Sequence, residues 1–176
     1  LTQNSCYNWN ISKALISEEE LEFDNIYSSK ECSVQNFYQP HGGRIQKFSL
    51  NDKNGLLITI GQNNPVKVKD NSIIGKILFI GFDDKEHKII SSGHRNTQGL
   101  WTDGKMILST EHGPRGGDEI NNIKINKNYG WPVASYGEPY GPKNTEPKFA
   151  KDHFDFGYQE PVFNFLKAIG ISELIK

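Results

Sequence analysis

"GRIQKFSLNDKNGLLITIG" (Gly43–Gly61) is the stretch on which the fold turns. GRIQKFSL alternates imperfectly between apolar and polar residues, NDKNG interrupts it, and LLITIG resumes as a nearly continuous apolar run. Two strands joined by a tight turn account for this pattern, with Asn54-Gly55 as the hairpin signal. The stretch recurs as "QGLWTDGKMILSTEHG" (Gln98–Gly113), where a short apolar segment meets Asp103-Gly104 and then KMILST. The two units align Gly43 with Gly99 and Gly61 with Gly113, an offset in the fifties. That offset is close to the roughly 40–50 residues of a propeller blade.

Further strand candidates flank these units. GKILFIGF and HKIISSG lie between them, and INNIKINKNYGWPV follows with one more strand and a Gly-Trp-Pro turn. SEEELEF, near the start, has helical propensity but is too short for a helix to stand on propensity alone. The stretch from Gly137 to Gln159, rich in Gly, Pro, Lys and Asp, reads as a long loop. The expected fold is therefore all-β, an antiparallel β-propeller, with a β-sandwich as the alternative. At roughly 50 residues per blade the chain holds about three blades, whereas closed propellers usually need about four to eight. Residues 1–176 are expected to form one partial domain, part of a ring with open sheet edges.

Composition narrows the function. The net charge is -1 and the lysines are scattered, which disfavours a nucleic-acid binder with its basic stripe. The most apolar stretch, Ile73–Phe82, is broken by Lys76 and two glycines and falls far short of the roughly 20 residues of a membrane helix. No membrane insertion is expected. No signal peptide is read at the start, and the chain opens at Leu1 without a methionine, leaving an upstream part open. The two cysteines, Cys6 and Cys32, are either a bridge closing a loop or two free thiols.

Three glycine-flanked polar clusters stand out: PHGGR (40–44), SGHRNTQG (92–99) and TEHGPRGGDE (110–119). The last packs three glycines, a proline, an arginine, a histidine and three carboxylates into ten residues. Such oxygen-rich, bendable loops suit a hard cation or an anionic cofactor, and equally a solvated turn. In a propeller these loops gather at the channel mouth, and strand pairing brings the last two clusters to one end of a blade. His41, Arg95, Asn96 and the Gly113 loop would then surround one pocket.

Taken together, PHGGRIQKFSL, GKILFI, SSGHRNTQGLW, STEHGPRGGDEINNIKINKNYGWPVASYGE and QEPVF resemble the soluble aldose sugar dehydrogenases of the glucose/sorbosone dehydrogenase family, which depend on pyrroloquinoline quinone (PQQ). The likeness runs from about Asn25 to Ile171, and the GHRNTQGL and EHGPRGGDE…NKNYGWP blocks are its specific part. The resemblance implies a six-bladed propeller that oxidises the anomeric hydroxyl of an aldose, with PQQ and calcium in the central channel and an external electron acceptor. It implies a periplasmic or secreted setting, which would favour a Cys6–Cys32 bridge.

The resemblance also implies site residues. His41 matches the base that takes the sugar hydroxyl proton, and imidazole is suited to that near neutral pH. Arg95 matches the cation beside the cofactor, and Asn96 can hydrogen-bond the cofactor edge. Adjacent His94 competes with Arg95 for the pocket; strand neighbours point to opposite sides, and Arg95 is preferred. Gly113 and Pro114 match main-chain carbonyl ligands of the cofactor-side calcium. Glu119 and the carbonyl of Tyr129 match ligands of a second, structural calcium, although later ligands of that site find little counterpart between Ser135 and Pro139. Asp118 reads as a ligand or a salt-bridge acid, and Trp131 as a packing residue. Further basic residues that grip PQQ in the family's later blades have no counterpart in these 176 residues, so this stretch alone is expected to bind PQQ weakly. A lactonase-like calcium-dependent propeller hydrolase and a non-catalytic propeller interaction module are the rival readings.

Overall fold

A computed structural model describes residues 8–16, 20–31, 42–62, 68–142 and 148–175. His41, Cys6 and Cys32 lie outside the described residues.

The repeated unit is a hairpin in both places. Strands β3 (Gly42–Leu50) and β4 (Lys53–Ile60) form the first, and β7 (Thr97–Thr102) and β8 (Ile107–Glu111) the second. Each has a register shift near its opening glycine, between Gly42 and Ile45 in β3 and between Thr97 and Gly99 in β7. The first turn is not at Asn54-Gly55. Leu50 pairs with Lys53, so the turn is Asn51-Asp52, both with positive φ (50° and 63°). Asn and Asp tolerate this left-handed conformation. Gly55 sits inside β4 for a different reason: a Cβ there would lie 2.2 Å from the Ile80 carbonyl oxygen and 2.7 Å from the Phe79 ring.

β5 (Lys76–Gly81) and β6 (His87–Ser92) extend the first hairpin into a four-stranded antiparallel sheet. The two-residue strand β10 (Lys127–Asn128) adds to β6 in parallel. The second hairpin grows through β9 (Asp118–Asn122) and β11 (Phe163–Phe165) into another antiparallel four-stranded sheet. A two-stranded sheet, β1 (Asn10–Ala14) with β2 (Phe23–Ser28), completes the described strands. Glu20–Glu22 is not helical, and Phe23 opens β2. The described part of 137–159 is irregular apart from a 3-10 turn at Phe154–Phe156.

Side-chain alternation stacks these sheets. All six residues of β5 are buried. Leu57, Ile77 and Phe79 face the second sheet and pack with Leu100, Ile107 and Ile123. Ile58, Ile60, Leu78 and Ile80 face the other way, onto Ile11, Ile26 and Tyr27 of the two-stranded sheet. Each fully buried Leu or Ile contributes about 1.5–3 kcal/mol, so these two interfaces dominate the packing. The end strands β3 and β7 are bound edge to edge through side chains. Arg44 Nε donates to the Gln98 carbonyl (2.9 Å) and Gln46 Nε2 to that of Leu100 (2.9 Å), and from the neighbouring β4 Thr59 Oγ1 donates to that of Thr97 (3.1 Å). Face-packed antiparallel sheets meeting at their first strands are the blade arrangement expected from the repeat. No helix among the described residues is long and apolar enough to cross a membrane.

Candidate active site

The segment between β6 and β7 carries the chain from one sheet to the next, and the site is built around it. Gly93 begins it with φ 74°, pressed so closely on the 128–130 segment that a Cβ would meet Asn128 Oδ1 at 2.1 Å. The His94 N–H donates to the Gly75 carbonyl (3.1 Å), and the Arg95 carbonyl accepts from the Gln62 N–H (2.5 Å). His94 and Arg95 then part company. The His94 ring is fully buried and stacks on Tyr129 at 4.9 Å. The Arg95 guanidinium reaches the TEHGPRGGDE loop, where Nη1 donates to the carbonyls of His112 (2.9 Å) and Gly113 (2.8 Å). It lies 5.4 Å from the Trp131 ring centroid and 5.9 Å from that of Tyr140, a cation–π arrangement. Burial lowers the Arg95 pKa, opposed first by nearby Tyr140 and Glu111.

The two later clusters meet as expected from strand pairing. Thr97 is opposite Glu111, and the His112 N–H donates to the Asn96 carbonyl (3.0 Å). Asn96 is buried beside Arg95, with Oδ1 accepting from Gln98 Nε2 (2.7 Å). Asp118 makes no salt bridge among the described residues and is engaged by main-chain N–H groups. Its Oδ1 accepts the Gly113 N–H (3.1 Å) and its Oδ2 the N–H groups of Ile169 (3.0 Å) and Gly170 (2.9 Å). The loop's glycines serve close approach. A Cβ on Gly113 would be 2.0 Å from the Gly116 carbonyl oxygen, and one on Gly117 (φ 67°) 2.0 Å from the Gly137 nitrogen.

Arg95, Gly113, Glu119, Tyr129 and Trp131 line one small pocket, about 220 Å³ of empty space with its mouth included. Pro114 is buried next to Gly113. Trp131 is more than packing, because its ring lies under the Arg95 guanidinium as well as against Phe149. It is delivered there by β10, whose pairing with β6 lets the Trp131 N–H donate to the Gly93 carbonyl (3.1 Å).

The oxygens of His112 and Gly113 converge on a positive charge, so the loop's donor chemistry suits a hard cation, and the guest it holds is Arg95. Glu119 and Tyr129 line the same pocket as Arg95 and Gly113. Burial, and then the charge of Glu111, raise the Glu119 pKa well above the usual carboxylate range, which favours its protonated form. Its neighbours are Asn121 Nδ2 (3.3 Å) and His153 Nε2 (3.9 Å). The Tyr129 hydroxyl donates to the Asn122 carbonyl (2.6 Å), and burial pushes its pKa up to about 12. Among the described residues no three His, Cys, Asp or Glu side chains form a metal-holding group.

The sequence profile described as Glucose / Sorbosone dehydrogenase matches residues 11–176. The chain belongs to this family. It is 34% identical over 151 residues to a protein named aldose sugar dehydrogenase YliI from Escherichia coli (strain K12), covering 74% of this chain and 38% of that protein. The soluble aldose sugar dehydrogenase from Escherichia coli, in its apo-form, superposes with a TM-score of 0.71 at 29% identity, over 93% of this chain and 51% of that one. The PQQ-bound form of aldose sugar dehydrogenase from Streptomyces coelicolor superposes with a TM-score of 0.57 at 28% identity, over 80% of this chain and 43% of that one. The β-propeller read from the repeat is thus the fold of this family member, which spans about half the length or less of these relatives.

Two site features escaped the sequence reading. Glu111 binds the Arg95 segment, and His153 is buried between Glu119 and Glu160. In the sequence Glu111 stands among the carboxylates of TEHGPRGGDE, with no sign of its particular partners beyond its place opposite Thr97 in the hairpin.

Proposed function

We propose that this chain supplies part of the active centre of a PQQ-dependent dehydrogenase that oxidises the anomeric hydroxyl of aldoses to lactones. The observation that supports this most is Arg95: a guanidinium held by two main-chain carbonyls above Trp131, at a pocket lined by the family's own motif residues.

In this reading Arg95 presents a fixed positive charge where a bound quinone oxygen would gain electron density. Asn96 adds a polar edge beside it. The carbonyl of Pro114, and that of Gly113 through the lone pair that Arg95 Nη1 leaves open, would hold a calcium ion, which when bound would supply Lewis-acid polarisation. PQQ, when bound, would supply the acceptor for the hydride that leaves the sugar, with an external acceptor taking up the electrons. His41 takes the hydroxyl proton, so the sugar loses one proton and one hydride in becoming a lactone. The setting proposed is periplasmic or secreted.

The full-length protein, loaded with PQQ and calcium, should reduce a redox dye when aldoses are added, and His41→Ala should remove most of that turnover. Absence of dye reduction with any aldose would defeat the proposal, and unchanged turnover in His41→Ala would remove the base from it. Residues 1–176 alone should bind PQQ weakly by equilibrium dialysis, because a tricarboxylate needs more cationic partners than Arg95 offers.

A further inference from the structure

Glu111 is a buried carboxylate with no part in the chemistry above, yet it touches His94, Arg95 and Thr97 in the segment that carries Arg95. One of its oxygens accepts the Arg95 backbone N–H. The other faces His94 Nδ1 at 3.0 Å and accepts from Thr97 Oγ1 at 3.2 Å. On its far side, His94 Nε2 lies 2.8 Å from Ser91 Oγ. Ser91 and His94 belong to the first sheet and its exit, and Glu111 to the end of β8 in the second.

The array Ser91–His94–Glu111 has the order of a hydrolytic triad, but Ser91 is 1% exposed and His94 0%, so no substrate reaches either. Its chemistry is that of a clamp. Nδ1 faces a carboxylate and so carries its hydrogen, which fixes the ring's orientation. A carboxylate that accepts three hydrogen bonds in a buried place holds its donors more firmly than neutral partners would.

We propose that Glu111, together with His94, is the positioning residue for Arg95, fixing the main chain at residues 94–97 so that the guanidinium is aimed onto the His112 and Gly113 carbonyls. This rests on the dehydrogenase reading only in giving Arg95 a cofactor to serve. The clamp predicts which substitutions release Arg95. Glu111→Ala removes all three acceptor contacts at once. Glu111→Gln can keep them: its oxygen accepts the Arg95 N–H, while its amide donates to Thr97 Oγ1 and to His94 Nδ1 once the imidazole hydrogen moves to Nε2 and points at Ser91.

The test is phenylglyoxal modification of the full-length protein, with each arginine followed by peptide mass spectrometry. Arg95 should be strongly protected in the wild type, and Glu111→Ala should speed its modification by about tenfold or more, since local opening sets the rate. Glu111→Gln keeps the contacts with weaker, neutral bonds and should fall between the wild type and Glu111→Ala, and Arg44 should be unaffected in both. If Glu111→Ala does not fold, Glu111→Asp carries the test, because a carboxylate withdrawn by one methylene cannot span the same donors; a several-fold rise at Arg95 is expected. An unchanged Arg95 rate, or an equal rise at Arg44, overturns the clamp. PQQ affinity is read separately. If Glu111→Ala frees Arg95 but Arg95→Ala leaves PQQ affinity unaltered, the clamp stands and the dehydrogenase reading falls.

Discussion

Arg95 Nη1 lies 2.8 Å from the carbonyl oxygen of Gly113, although eighteen positions separate the two residues. The contact joins the segment that leaves the first sheet to the loop that follows β8 in the second. It ties the folding of two blades to the geometry of one pocket. A charge-assisted bond to a carbonyl contributes about 1.5–3 kcal/mol, comparable to one buried aliphatic side chain.

The loop's side of this contact depends on how tightly it folds back on itself. Gly113→Ala should destabilise the protein by about 1–3 kcal/mol, because its new Cβ meets the Gly116 carbonyl and backbone must move. Urea denaturation measures it. A variant within a few tenths of a kcal/mol of the wild type would show that the loop has slack.

The placement of the first hairpin turn is open to an equally simple check. Asp52→Gly should stabilise by a few tenths to about 1 kcal/mol, since glycine adopts the left-handed conformation at φ 63° without steric cost. Gly55→Ala should destabilise by about 1–3 kcal/mol through its clash with Ile80 and Phe79. The opposite pair of signs would restore Asn54-Gly55 as the turn.

That turn illustrates how far the sequence could be read. The repeat was legible because hairpins with glycine-marked ends recur at an offset in the fifties, and that spacing pointed to blades. Asn54-Gly55 misled because Asn51-Asp52, three residues earlier, can also adopt left-handed backbone, and the register that buries Leu50 and Leu57 selects it. The three residues of β11 are too few to give a periodic signal. At the site, the separation of His94 from Arg95 followed from their adjacency, and the gathering of two clusters followed from strand pairing. Glu111 and Asp118 were not legible as clamps. Asp118 accepts from backbone N–H groups, which every residue except proline possesses and no motif records, and Glu111 accepts one such bond beside those from the His94 and Thr97 side chains.

Glu119 gives a prediction about pH. Its folded pKa lies well above the roughly 4.3 of an unfolded glutamate, mainly through burial. Between those two values the native state keeps a proton that the unfolded state has released, so stability falls as pH rises through that window. Glu119→Gln cannot ionise and should lose this component. Urea midpoints taken in EDTA from pH 5 to 8 should diverge in favour of the variant as pH increases; parallel curves would contradict the raised pKa.

The most direct test of the central claim is the affinity of the full-length protein for PQQ in the presence of calcium, compared between wild type and Arg95→Ala by equilibrium dialysis. Removing a buried cation that faces a charged cofactor should weaken binding by about tenfold or more, a loss of at least about 1.4 kcal/mol, while the circular dichroism spectrum stays that of a β protein. Equal affinity for PQQ in the two proteins would contradict the account, because the pocket around Arg95 would then not be where the cofactor binds.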